Sequence, residues 1–163
     1  MRGGEGRTMN WRPRPGTAHE RLYALVGRWE GVELLHPSPW GPGGPAVGRF
    51  TNYAAVDGFF VVSDYVEEKD GGVTFRGHGV YGWDDIEKVY VLYWFDSMGL
   101  APSQPARGAW KGDELVFLLD QPGSKVRYTH TFPKEGAYVF RLESQRDGAD
   151  WETVMEAEYR RVG

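Results

Sequence analysis

Four histidines, His19, His36, His78 and His130, are the only side chains of this sequence that titrate near neutral pH without a perturbing environment. His78 stands between Gly77 and Gly79 in a run otherwise rich in aromatic residues, so the backbone beside it is open to a ligand. It reads either as part of a binding site or as a buried histidine bonded to Tyr93 or a main-chain carbonyl. Lys125, Arg127 and Thr129 alternate with Val126, Tyr128, His130 and Phe132, which turns the second set inward. His130 is then either a satisfied core histidine or a haem or metal ligand, with Tyr128 beside it in the lining. His36 opens the loop His36-Pro-Ser-Pro-Trp-Gly-Pro-Gly-Gly-Pro45, where it could line a mouth together with Trp40. His19 lies in a first helical turn and reads as solvent-facing.

Asp96 follows Trp94 at strand spacing, which puts carboxylate and indole on one face. There the carboxylate could act as a base or hold a donor on a ligand, or it could cap the turn at Ser97-Met98-Gly99. Arg49 shares its strand phase with Thr51 and Tyr53, and reads either as an internal anchor for a carboxylate or as a surface charge. Several chemistries are absent as motifs. There is no His-x-His or His-Glu-x-x-His zinc spacing, no Gly-rich phosphate loop and no Gly-x-Ser-x-Gly elbow. With no cysteine in the chain, thiolate nucleophiles, disulfides and Cys-ligated metals are excluded as well.

The elements that must position these residues are short and β-rich. Val73 to Gly99 reads as two strands joined by an acidic turn at Asp84-Asp85-Ile86-Glu87, with Trp83 opposite Lys88. One face carries Phe75, Gly77, Gly79 and Tyr81 beside Tyr90, Leu92, Trp94 and Asp96, so that two glycines leave room for an indole; the other carries Arg76, His78 and Val80 beside Val91, Tyr93 and Phe95. Which face points inward is left open by the pattern, and the lining takes Trp94, Tyr93 or His78 accordingly. Both faces are apolar enough that the outer one calls for a cover, by a helix, a loop or a second copy of the chain.

Over 163 residues, 15% aromatic content, 23 glycines and 10 prolines punctuate ten strand-like runs, at about 29–36, 47–56, 59–67, 72–82, 88–96, 106–111, 114–120, 124–132, 136–144 and 150–160. This predicts an all-β fold, an up-and-down antiparallel barrel of about ten strands. Thr17-Ala-His-Glu20 has capping-box spacing and predicts a short helix to about Val26. Residues 1–16 read as a flexible N-terminal segment and 17–163 as a single barrel domain. On the last strand, Trp151, Thr153, Met155, Ala157 and Tyr159 are expected to face inward; Tyr138, Phe140 and Leu142 are expected to do so on the strand before it. An interior with tyrosine hydroxyls and a histidine suits a cavity. The mild net charge of −4 and the lack of a basic block argue against nucleic acid and membrane anchoring. No apolar run fits a signal peptide or a span, so a soluble, cytoplasmic protein is expected.

Gly27-Arg28-Trp29 resembles the Gly-x-Trp signature of lipocalins and related calycin barrels. That resemblance implies a Trp plugging the barrel base under an Arg from the last strand, here Arg160 or Arg161. LVGRWEG, HPSPW, FFVVSDY, FRGHGVYGWD and WFDSMG, within about residues 18–161, are similar to an uncharacterised bacterial family of calycin-like barrels, a domain of unknown function. Gly27-Arg28-Trp29-Glu30-Gly31 also resembles the start of nitrobindin-type haem barrels, whose proximal His lies on a late strand; that implies His130, or else His78, on iron.

The leading expectation is a barrel that binds a small hydrophobic or amphipathic ligand without a cofactor, using His36, Trp40, Arg49, His78, Tyr93, Trp94, Asp96, Tyr128 and His130. Haem is the alternative cofactor. An isomerase or cyclase using Asp96 and His78 as acid and base is a third reading. A homodimer is expected from the apolar outer face of the hairpin.

Overall fold

The computed structural model describes residues 12–39 and 41–163. Residues 1–11, most of the expected flexible segment, and Trp40 lie outside the described residues. A short helix, α1 (Thr17–Glu20), runs into a tight 3-10 segment (Arg21–Leu25) and then into ten strands. These are β1 (Gly27–Leu35), β2 (Gly44–Ala55), β3 (Phe60–Lys69), β4 (Gly72–Asp84) and β5 (Val89–Asp96), then β6 (Ala106–Lys111), β7 (Glu114–Gln121), β8 (Ser124–Lys134), β9 (Ala137–Arg146) and β10 (Glu152–Arg161). Each strand pairs antiparallel with its sequence neighbour and β1 pairs with β10, so the meander closes into a barrel. Closure leaves no free sheet edge.

The helix starts one residue earlier than the Thr17 spacing predicts. Gly16 is the cap residue, and its N–H donates to His19 Nδ1 at 3.0 Å. The His19 ring also packs edge-on to Phe59, with centroids 5.1 Å apart, and is half-buried. Leu22 and Leu25 from this segment are fully buried among Val61, Tyr90, Leu115 and Phe117, and close one end of the barrel. Trp29 seals the same end: its indole N–H donates to Leu25 O at 2.8 Å, and the Arg161 guanidinium lies over its ring at 4.8 Å. Of the two arginines proposed for that stack, it is Arg161 that makes it.

The β4–β5 hairpin has the expected face sets in a register shifted by two residues. Trp83 pairs with Tyr90 and Gly79 with Trp94. The shift comes from the turn, where Asp84 Oδ1 accepts the Ile86 and Glu87 amides and Lys88 adopts a left-handed φ of 57°, so that Asp84 and Val89 close the loop. A two-residue slip preserves strand alternation, so both face sets survive.

On β10 the alternation breaks. A bulge between Thr153 and Met155 leaves both Val154 and Met155 buried and reverses the phase before it. Trp151 and Thr153 therefore face outward, contrary to the pattern, and Trp151 lies under the Arg127 guanidinium at 4.1 Å.

Candidate functional site

The open half of the barrel encloses a cavity of about 640 Å³. Its volume falls in the range of small-molecule sites. The wall between β3 and β5 is aromatic. Gly77 and Gly79 face inward and their missing side chains leave space for Trp94: a Cβ on Gly77 would stand 2.2 Å from the indole. Tyr65, with Phe50 stacked on it at 4.5 Å, continues this surface, and Phe75 completes it. Leu92, Leu119, Phe140, Leu142, Val154 and Met155 supply most of the remaining wall.

The floor is set where two opposite strands meet. Tyr81 on β4 and His130 on β8 touch across the barrel, Tyr81 Oη standing 3.3 Å from His130 Nε2. His130 Nδ1 lies 3.3 Å from Leu115 O, which assigns the ring proton to Nδ1 and leaves Nε2 to accept from the tyrosine. Burial pushes the His130 pKa down to about 4, so the imidazole is neutral. Tyr138, packed against His130 and Trp29, and Tyr128 add two further phenols to the lining. Burial raises both, Tyr128 to about 12 with the Asp96 carboxylate as a second cause, so both keep their protons.

The mouth is formed by His36, Ser38, Gly41 and Gly43 and by residues 98–104, which contribute Met98, Leu100 and Gln104 to the lining. The β5–β6 ladder ends at Leu92 and Ala106, and this second loop covers the wall beyond it. Asp96 sits at that transition: Trp94 Nε1 donates to its Oδ2 at 2.9 Å and the Met98 amide to its Oδ1 at 2.9 Å. Both readings of Asp96 thus coexist, since it caps the turn and also fixes the indole that lines the cavity. His36 is at the rim, 3.5 Å from the Glu156 carboxylate.

Of the residues expected to form a site, the structure brings together His36, Trp94, Asp96, Tyr128 and His130 in the cavity lining. Arg49, His78 and Tyr93 are corrected to the outer surface. Arg49 pairs with Glu30 and Glu68, at 3.3 and 2.7 Å, because Phe50 and Asn52 take the inward phase of β2. His78 Nδ1 is 2.8 Å from Asp64 Oδ1 on the outside of the wall. Tyr93 is 39% exposed on the same outer face. His78 and Asp96 therefore stand on opposite sides of the sheet and cannot act as one acid–base pair.

Sequence reasoning missed the most perturbed carboxyl among the described residues, Glu33. It is fully buried, accepts from Tyr65 Oη at 2.6 and 2.7 Å, and is also bonded by Tyr159 Oη. Burial, with a smaller contribution from nearby Glu67, raises its pKa to about 7 against the lowering effect of the two phenols. Gly48 makes room for it, since a Cβ there would lie 2.4 Å from Glu33 Oε2. The signal was available: Glu33 shares the strand phase of Trp29, and whatever faces with that tryptophan faces in. Tyr65 links this carboxyl to the cavity, where Glu67, 3.4 Å from the same hydroxyl, is part of the lining.

Among the described residues no cluster of three or more His, Asp or Glu is placed to hold a metal ion, and no helix is long and apolar enough to cross a membrane. Among curated proteins none matches the chain. Solved structures share the fold, two of them as follows. The crystal structure of Rv2717c from M. tuberculosis is 13% identical, with a TM-score of 0.65 over 91% of this chain and 99% of that one. The S-type phycobiliprotein lyase CPES from Guillardia theta is 10% identical, with a TM-score of 0.65 over 90% of this chain and 93% of that one. Residues 14–161 match the family model described as a protein of unknown function (DUF1579), and the chain belongs to that family.

Proposed function

We propose that this protein binds a small apolar or amphipathic molecule inside the barrel. The observation that carries the reading is the enclosed cavity of about 640 Å³, with aromatic and aliphatic walls and a small set of polar groups at its floor and rim. A barrel evolved only for stability fills its interior with side chains; here Gly77 and Gly79 let the Trp94 indole lie against the wall, and the space beside it stays open. Trp94 in the wall provides the test. A ligand entering from the mouth contacts its indole, so titration with a neutral apolar dye such as Nile red should quench or shift tryptophan emission and give saturable dye fluorescence. A phenylalanine at position 94 should remove most of the tryptophan response while binding persists. No saturable uptake across a broad apolar set refutes the reading.

The lyase among the structures of the same fold makes a tetrapyrrole a second ligand class to test. Haem ligation by this chain's histidines has weaker support. His78 is outside the wall, and the only nitrogen of His130 free to bind iron is occupied by the Tyr81 hydroxyl across the floor. A Soret band on mixing with haem that disappears in His130→Ala would reverse this. Pairing of two copies through the outer face of β5 is supported by Tyr93 and Phe95, 39% and 43% exposed; a monomer in sedimentation at micromolar concentration refutes it.

A further inference from the structure

We propose that the cavity selects ligands whose polar group is an uncharged acceptor oxygen, a ketone, ester or amide carbonyl, with Tyr128 and Tyr138 as the hydrogen-bond donors, and that it rejects the corresponding carboxylates. The inference rests on the binding function proposed above and specifies its ligand. Its starting point is the hydrogen-bond inventory of the floor. The Tyr81 proton goes to His130, and the His130 proton goes to Leu115 O. The phenols of Tyr65 and Tyr159 both donate to Glu33. Tyr128 and Tyr138 remain: each lines the cavity, Tyr138 is only 2% exposed, and no described residue gives either hydroxyl a partner. Buried polar groups are ordinarily bonded, and an O–H facing a cavity without an acceptor is matched by an acceptor on whatever occupies that cavity.

The charge of the ligand follows from what else faces the space. Glu67 and Asp96 are in the lining, and Glu33 lies directly behind Tyr65. Among the described residues Lys69, at the rim, is the one lysine or arginine of the lining; Arg49, Arg127 and Arg141 are turned outward into ion pairs with Glu68, Glu143 and Glu156. His130 adds no charge, being neutral. A carboxylate pushed to the floor would be desolvated with no described cation there to meet it, beneath an upper wall that carries the Glu67 and Asp96 carboxylates. A carbonyl oxygen carries no such penalty and accepts from the same two phenols.

The test uses the intact protein and four twelve- to thirteen-carbon ligands, dodecanamide, dodecan-2-one, methyl dodecanoate and dodecanoate, each titrated at pH 7.5 by displacement of Nile red. The expected result is that each neutral ligand binds at least about tenfold tighter than dodecanoate, and that the Y128F/Y138F double variant loses about tenfold in affinity for the amide, the worth of one hydrogen bond, a larger loss than for the hydrocarbon probe diphenylhexatriene, which has no acceptor oxygen. Because neither hydroxyl has a partner to lose among the described residues, the double variant should unfold at no lower denaturant concentration than the parent, which separates a binding effect from a folding one. Dodecanoate binding as tightly as the amide overturns the inference, as does an amide affinity unchanged in the double variant; in both cases Nile red uptake leaves the binding cavity itself standing. Failure of Nile red and all four ligands to enter overturns the cavity reading and this inference with it.

Discussion

Replacing Glu33 with Gln should make the protein more stable at pH 8 and leave it nearly unchanged at pH 4.5. The carboxyl is fully buried, and its pKa rises from the ordinary 4.5 to about 7 in the folded state, chiefly through burial. Below pH 4.5 both folded and unfolded chains hold the proton. Between 4.5 and 7 the unfolded chain releases it and the folded chain retains it, so stability falls as pH rises; above 7 both are ionised and the loss is complete. At about 1.4 kcal/mol per pH unit, that window amounts to about 3 kcal/mol. Glutamine keeps the shape, accepts from Tyr65 and Tyr159, and has no proton to lose. Urea unfolding followed by tryptophan emission at half-unit steps from pH 4.5 to 8 gives both curves, and their difference isolates Glu33 from every other titrating group. The gap should widen by about 3 kcal/mol in favour of the variant as pH rises. A gap that changes by less than about 1 kcal/mol refutes the reasoning. A gap that widens in favour of the parent would mean that the two phenols stabilise the ionised carboxylate more than burial opposes it.

Three further outcomes follow from the packing. Gly77→Val should cost about 1–3 kcal/mol and abolish Nile red uptake, because the new Cβ stands 2.2 Å from Trp94 and the indole must swing into the cavity; wild-type stability and uptake would show that Trp94 does not occupy that position. Arg161→Ala should lower stability by about 1–2 kcal/mol, measured by thermal unfolding, through loss of the contact over Trp29 and the bond to Val26 O. His78→Ala should change stability by less than about 0.5 kcal/mol and ligand affinity not at all, since it removes one exposed pair with Asp64; a tenfold loss of affinity would contradict its outward position.

Much of the architecture is determined locally and so is legible in the sequence. The ten strands, the turns between them and the face sets of β4 and β5 follow from period-2 alternation bounded by glycine and aspartate turns, and a residue's phase is a property of its nearest neighbours. That Gly77 and Gly79 accommodate Trp94 was visible for the same reason. Phase does not say which side of a strand is inside, and that is where Arg49, His78 and Tyr93 were misplaced: the decision belongs to barrel closure, which turns Phe50, Asn52, Gly77 and Trp94 toward the axis and puts their neighbours outside. The β10 bulge is likewise invisible to alternation, because one extra residue reverses phase without changing composition. Contacts between distant strands were decided by tertiary structure alone. Glu33 meets Tyr159 from 126 residues away, and Tyr81 meets His130 across the floor from 49 residues away. Which described residues meet each tyrosine hydroxyl is decided there too, since a hydrogen-bond partner is a matter of three-dimensional placement and local sequence does not encode it.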